Sequence, residues 1–374
     1  MIRDAARIKV LVVDDSAFMR RVLSDMLNSD PALQVVGTAR NGKDALEKIA
    51  QLKPDVVTLD IEMPVLDGIR TLDEIISRYS LPVVMISSAT QDGAEATLNA
   101  LQKGAVDFVA KPSGSISLDI NKMQSEIIAK VKAAAAVKVS PFAVRTAPLP
   151  AAKPAPEPEP EKEKREKIWE PAVFRAAVPE CVVAIGTSTG GPKALYEIIP
   201  SFPSAFPAAV LVVQHMPPGF TRSLAERLDS VSALKVKEAE DGEEVLPAHV
   251  YIAPGDFQLT VRAVERKEGR RLIVNLTKEN HISGHRPSID VLFSSIAANF
   301  WGRTIGVLLT GMGHDGTEGA KRLKEKGAKI IAEDASTCVV FGIPRSAIEA
   351  KVVDYIVPLG KVAQEVIRLV RERR

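Results

Sequence analysis

The chain has 374 residues, long enough for two ordinary domains that each bury their own core. Its 49 Lys and Arg against 47 Asp and Glu leave a net charge of +2. That balance excludes an overall electrostatic bias toward nucleic acid or an anionic membrane and confines charge-driven recognition to local patches. Cys181 and Cys338 supply neither a disulfide framework nor metal-ligand spacing; as small buried apolar residues they fit a reducing compartment. Met1 to Arg7 lacks the apolar stretch of a signal peptide and no run of about 18 apolar residues occurs. A soluble cytoplasmic protein with no membrane insertion is expected.

Lys9 to Val13 is a β-rich apolar run ending in Asp14-Asp15-Ser16, after which Met19, Val22, Leu23, Met26 and Leu27 recur at helical spacing. Similar units follow. Gln34 to Thr38 precedes a helix near Asp44 to Gln51, Val56 to Leu59 ends in Asp60, Val83 to Ile86 ends in Ser87-Ser88, and Phe108 to Ala110 ends in Lys111-Pro112. Strand and helix alternating in this way predict a doubly wound parallel sheet over residues 1–125, with its ligand site beyond the carboxyl ends of the strands. Asp14, Asp15, Asp60, Ser87 and Lys111 converge there. Three carboxylates suit a hard cation such as Mg²⁺, which would offset a phosphoryl group arriving on Asp60, and Lys111 adds a compact positive charge. Any one of these acids alone reads as a solvated loop residue or a helix cap.

Asp14-Asp15, Asp60-Ile61-Glu62-Met63-Pro64, Ser87 and Lys111-Pro112 together resemble the response-regulator receiver domain, a flavodoxin-like fold, over its whole length. The resemblance implies that Asp60 accepts a phosphoryl group from a histidine kinase. It implies a Mg²⁺ set of Asp14, Asp15, Asp60 and Glu62, switch residues Ser87 and Phe108, and contact of Lys111 with the phosphoryl group. Ser87 stands where Thr is commoner and keeps the hydroxyl.

Residues 126–177 read as a helical extension followed by a tether. An alanine-rich helix ends near Lys138; proline then recurs at alternate positions from Pro154 to Pro160, and interleaved Glu and Lys run to Lys167. That composition forbids helix and central strand and leaves an extended, solvated spacer.

The second domain, 178–374, opens on Val182 to Ile185, a β-branched run that breaks at Gly186 and passes through Thr187-Ser188-Thr189-Gly190-Gly191 into a helix with Pro192 in its first turn. Ser188 sits at a strand-to-helix turn, where unpartnered N–H groups at a helix start can stabilise an oxyanion. Read alone, the stretch is equally an ordinary glycine-rich turn or a phosphate cradle. Ala208 to Val213 ends at His215, and Arg303 to Leu309 leads to Asp315 before a helix near Thr317 to Lys326. A serine, a histidine and an aspartate at three strand ends meet the requirement for nucleophile, base and orienting carboxylate. Individually, His215 reads as a packed histidine and Asp315 as the N-cap of the following helix. Strands near Lys329 to Ala332 and Tyr355 to Val357 extend the sheet. Val250 to Ile252, Gln258 to Val264 and Arg271 to Thr277 read as inserted antiparallel hairpin material. His281 and His285 stand four apart, but Gly284 and Pro287 oppose a helix and a zinc site lacks a third ligand. His285-Arg286-Pro287-Ser288 reads as a loop entering a helix at Ser288, with Arg286 either orienting a carbonyl or acidic substrate or serving as an ion-paired arginine. His249, just before a strand, reads as structural.

Gly186-Thr187-Ser188-Thr189-Gly190-Gly191, Gln214-His215-Met216-Pro217, His285-Arg286-Pro287-Ser288 and Gly311-Met312-Gly313-His314-Asp315-Gly316 closely resemble the chemotaxis methylesterases, and the order of receiver, linker and effector matches as well. The resemblance implies a Rossmann-like esterase domain with Ser188 as nucleophile, His215 as base and Asp315 as its partner. It assigns the Met312 N–H, Thr189 and Arg286 to the oxyanion and substrate. It implies demethylation of glutamate methyl esters, and deamidation of glutamines, on methyl-accepting chemoreceptors by a phosphorylation-activated monomer that needs no cofactor for the ester chemistry. Members often carry Asn in place of His314. Two alternatives stay in view. An α/β-hydrolase esterase fits G-x-S-x-G, but His215 precedes Asp315, against that fold's order. A non-catalytic regulator binding nucleotide or DNA lacks both G-x-x-x-x-G-K-[ST] and a basic recognition helix.

Overall fold

A computed structural model describes residues 7–88, 90–111, 116–137, 178–267, 269–279 and 284–372. The tether, His281, Pro112 and Met1 to Ala6 lie outside the described residues.

The first unit runs β1 (Ile8–Val13), α1 (Ala17–Asn28), β2 (Leu33–Ala39), α2 (Gly42–Leu52), β3 (Val56–Asp60), α3 (Gly68–Tyr79), β4 (Val83–Ser87), α4 (Gln91–Lys103), β5 (Asp107–Ala110) and α5 (Ile116–Ala135). Its strands pair in parallel in the order β2-β1-β3-β4-β5. β3 and β4 are buried along their whole length, which is why they read as continuous apolar runs rather than alternating ones. The strand order reverses at β1, so the ends of β1 and β3 flank a switch-point crevice. α5 continues through Ala135, and Ile127, Val131 and Ala134 pack in one cluster with Val10, Val12 and Val84. Residue 125 therefore falls inside a helix that covers this sheet, and we propose that the receiver unit ends with α5.

The second unit runs β6 (Cys181–Thr187), α6 (Gly191–Ile198), β7 (Ala208–Gln214), α7 (Phe220–Val231), β8 (Lys235–Glu238), β9 (His249–Ile252), β10 (Gln258–Arg266), β11 (Gly269–Thr277), α8 (Ile289–Asn299), β12 (Arg303–Leu308), α9 (Thr317–Glu325), β13 (Lys329–Glu333), α10 (Ile343–Glu349), β14 (Tyr355–Val357) and α11 (Leu359–Arg371). Seven strands form a parallel sheet in the order β14-β13-β12-β6-β7-β9-β8. β10 and β11 form a separate antiparallel hairpin. One expectation needs correction: Val250 to Ile252 is not hairpin material. It lies in β9, which pairs in parallel with β7 and β8 inside the main sheet. A four-residue strand buried over Val250–Ile252 shows no alternation that would tell the two cases apart. Cys181 is buried, but Cys338 is only half-buried, its thiol directed at the Glu333 carbonyl.

The two units share a face. α4 packs on α6 and α7, and apolar residues of both units, such as Leu98 of α4 and Leu224 of α7, belong to one continuous cluster. Arg227 of α7 donates to the Glu95 carbonyl of α4 at 3.0 Å. No helix among the described residues is long and apolar enough to cross a membrane.

Candidate active site and phosphoacceptor site

β6 lies between β12 and β7, so the chain turns out of the sheet at its switch point and three carboxyl ends meet there. Ser188 follows β6 and its amide donates to the Thr310 carbonyl at 3.1 Å. Gly190 then adopts φ 79°, a conformation that favours glycine. A Cβ on Gly191 would lie 2.0 Å from Gln214 Oε1, so the turn into α6 closes tightly on β7. Gln214 Nε2 in turn donates to the Ser188 carbonyl at 3.0 Å. The Ser188 side chain is half-exposed, and its hydroxyl makes no hydrogen bond among the described residues.

Beyond β12, Thr310 ties the crevice together. Its hydroxyl donates to the Thr189 carbonyl at 2.9 Å and its amide donates to the fully buried Glu333 carboxylate at 2.8 Å. Gly311 follows, so close to the serine that a Cβ there would stand 2.8 Å from Ser188 Cβ. Its carbonyl accepts from Gly342 and Ile343. The next amide, that of Met312, has no acceptor among the described residues, and Met312 is 37 % exposed. A pinned arm with an unpartnered N–H beside a serine is the geometry of an oxyanion donor.

His215, at the end of β7, places Nε2 2.8 Å from Asp315 Oδ2. Its Nδ1 is buried without a partner among the described residues. If Asp315 accepts the Nε2 proton, Nδ1 is left as the basic nitrogen. Asp315 is 1 % exposed and accepts additionally from Ser288 Oγ at 2.8 Å, Ile289 N at 2.7 Å and Asp290 N at 3.0 Å. These donors are the N-terminus of α8. Asp315 thus serves a helix start, though not the one its sequence position suggests; α9 is capped by Gly316 without a side-chain bond. Burial by itself would raise the Asp315 carboxyl. The hydrogen bond and charge of His215, with the Asp290 and Ile289 amides, outweigh it and hold the group at about 2. Asp290 behaves oppositely: burial, reinforced by the Asp315 charge, pushes it up to about 6.

The His215 ring stacks on His285, centroids 3.9 Å apart and planes within 10°. Nitrogen and oxygen atoms of His215, His285 and Asp315 lie within 4.8 Å of one another, spacing that a metal could use. Near-parallel rings oppose it, because a metal bound in the plane of one imidazole lies out of the plane of the other, and Asp315 is already saturated by donors.

Two assigned residues are engaged by partners within the fold. Arg286 is ion-paired with Asp256, and also donates to the Lys278 and Glu279 carbonyls at 3.1 Å each. This is the ion-paired alternative for that arginine. Thr189 is 2 % exposed, and its hydroxyl donates 2.5 Å to Oδ2 of Asp107, in the receiver. Neither contact was legible locally, since each joins residues far apart in sequence. The stacking of half-buried His285 on His215, the α8 amides that bind Asp315 and the Glu333 brace also carried no local signal. Only Ser288 carried a signal, as a helix N-cap, which it is.

In the receiver, donor oxygens of Asp14, Asp15 and Asp60 lie within 4.8 Å of one another. Lys111 Nζ stands 3.1 Å from Asp14 and 2.9 Å from Asp60. Burial pushes the Asp60 carboxyl up to about 6, with Lys111 pulling against it and Asp14 adding to it. Three hard oxygen donors with one ammonium fit Mg²⁺ and a phosphoryl group. Glu62 does not join them: it is exposed, and Ser88 Oγ lies 3.4 Å from its carboxylate. Ser87 is fully buried and donates to the Gly93 carbonyl at 3.0 Å. Phe108, 2 % exposed, stacks on Phe220 of the second unit at 4.6 Å.

Residues 183–366 match the family model for the CheB methylesterase, and residues 10–120 that for the response regulator receiver domain. A protein-glutamate methylesterase/protein-glutamine glutaminase from Syntrophomonas wolfei is 50 % identical over 370 residues, covering 97 % of this chain and 99 % of the relative. Its namesake from Geobacillus kaustophilus is 52 % identical over 367 residues, covering 98 % and 99 %. The solved catalytic domain of the Thermotoga maritima CheB methylesterase is 52 % identical, with a TM-score of 0.48, and covers 50 % of this chain and 97 % of that one. With about half of all positions identical across nearly the full length of such relatives, this chain belongs to the CheB family of receiver-linked protein-glutamate methylesterases/protein-glutamine glutaminases.

Proposed function

We propose that Ser188 attacks the carbonyl of a glutamate methyl ester on a chemoreceptor and that His215, through Nδ1, takes the serine proton and returns it to departing methanol. Asp315 holds the imidazole in the required tautomer and stabilises the imidazolium that forms. The Met312 amide donates to the oxyanion of the tetrahedral intermediate. Water, activated by the same His215, then hydrolyses the acyl-enzyme. An amide substrate follows the same steps with ammonia as leaving group, which accounts for the paired glutaminase activity in the names of the relatives. The observation that carries this reading is the His215–Asp315 pair, with its second imidazole nitrogen unpartnered among the described residues at the strand end beside the Ser188 turn. A fluorophosphonate probe should label the wild-type chain on Ser188 and fail on Ser188→Ala and His215→Ala. Labelling elsewhere, or on the Ala variant, would reject it.

Activity depends on the receiver. Phosphorylation of Asp60 by a chemotaxis histidine kinase is the input, with Asp14, Asp15 and Asp60 holding Mg²⁺, whose charge offsets that of the phosphoryl group. Ser87, Phe108 and Lys111 then respond. The Asp107–Thr189 hydrogen bond and the Phe108–Phe220 stack support a cover model: the unphosphorylated receiver sits on the residue next to the nucleophile, and rearrangement of Ser87 and Phe108 loosens it. The enzyme so described is a cytoplasmic monomer; with a net charge of +2 it binds no nucleic acid and does not enter the membrane.

A further inference from the structure

His285 takes no part in the triad, yet it is the group in closest stacking contact with the base. Its ring lies 3.9 Å from that of His215 at 10°. A single hydrogen bond from Nε2 to Asp315 is a weak restraint on the plane of an imidazole. Nε2 lies closer to the Cβ–Cγ axis than Nδ1 does, so turning about that axis moves Nε2 less and sweeps Nδ1 through a wider arc. The corresponding torsion is intrinsically broad and roughly two-fold. A flat surface against the ring face supplies the missing restraint.

The loop that carries His285 is itself clamped. Gln258, at the start of β10 and fully buried, donates from Nε2 to the His285 carbonyl at 3.2 Å, and its Oε1 accepts from the Ser288 amide at 2.9 Å. One buried amide thus grips both ends of the four-residue loop. Between them, Arg286 is ion-paired with Asp256, and the Asp256 amide donates to the Arg286 carbonyl at 3.2 Å. Ser288 closes the circuit by donating to Asp315. The antiparallel hairpin therefore braces both the ring face of the base and the carboxylate behind it.

We infer that His285 is a positioning residue for the esterase reaction, a flat platform that fixes the plane of His215 so that Nδ1 is presented in a constant direction to the serine proton. This rests on the Ser188–His215 chemistry proposed above. The platform needs a planar ring, not an ionisable one, so an aromatic hydrocarbon should replace it.

The test is methanol release by the full-length chain, with methylated receptor and a saturating phosphodonor, comparing His285→Ala, His285→Leu and His285→Phe. Ala and Leu should each lower kcat about 10-fold at a KM within about 2-fold of wild type, short of the ~100-fold that an ångström of misplacement can cost. Phe should return kcat to within about 3-fold of wild type. Leu fills the site without a flat face, so the Leu–Phe comparison decides the matter even if the Ala variant fails to fold. The inference is overturned if Leu equals Phe, if Phe is as slow as Ala, or if Ala matches wild type. Failure of the underlying reading looks different: wild type would release no methanol, or Ser188→Ala would still release it.

Discussion

Asp107→Asn perturbs the contact between the two units without touching any group of the ester chemistry. Asp107 is 7 % exposed and accepts 2.5 Å from the Thr189 hydroxyl, while Lys130 stands 3.4 Å from its other oxygen. A hydrogen bond to a charged group contributes about 1.5–3 kcal/mol and one between neutral groups about 0.5–1.5. Replacing the carboxylate by an isosteric amide therefore weakens the covered state by about 1–1.5 kcal/mol. If the receiver gates access to Ser188, that free energy appears as a roughly 5- to 13-fold rise in the active fraction of the unphosphorylated chain. Methanol release from methylated receptor, measured with and without a phosphodonor, should show a higher basal rate, an unchanged stimulated rate and a smaller ratio between them. An unchanged basal rate would refute the latch. A parallel change in both rates would mean that the substitution acts on the chemistry and not on the equilibrium.

Other outcomes follow from the same geometry. Asp315→Asn should keep the fold and lower kcat by about 10⁴, the scale expected when the orienting carboxylate of a triad is lost, with steady-state kinetics as the check. Asp290 carries the opposite sign in stability. Its folded value of about 6 lies above the ordinary 3.8, so ionising it costs the folded state, and the cost grows as pH rises from about 4 to about 6. Asp290→Asn retains an acceptor for the Gly319 amide and should raise stability by about 1–2 kcal/mol at pH 7.5, a gain that vanishes below about pH 4 in thermal melts. Asp60→Asn should abolish stimulation by phosphodonor while leaving basal methanol release in place, read in the same assay.

How much of this was legible in the sequence depended on range. Val56 to Leu59 and Val182 to Ile185 were readable because strands buried on both faces are continuous apolar runs. Ser188, His215 and Asp315 were readable because parallel α/β sheets place chemistry at strand ends, a rule that needs only the strands. Contacts between distant segments were not. Thr189 looks like a substrate-facing neighbour of the nucleophile until the fold brings Asp107 to it. Asp315 looks like the cap of the helix that follows it, but the amides it binds belong to Ile289 and Asp290. His285 and Arg286 are adjacent in a loop, and nothing local tells which faces the base and which faces Asp256. Glu62 follows Asp60 closely, yet the turn after β3 directs it to Ser88 instead.

The proposed mechanism makes Ser188 the nucleophile of a phosphorylation-controlled methylesterase. Its most direct measurement is methanol release from methylated chemoreceptor by the full-length wild type and by Ser188→Ala, each with a phosphodonor. Wild type should release methanol faster with the phosphodonor than without it, and Ser188→Ala should release none above the uncatalysed background while melting as wild type does. Methanol release by a folded Ser188→Ala chain at a rate near wild type would contradict it.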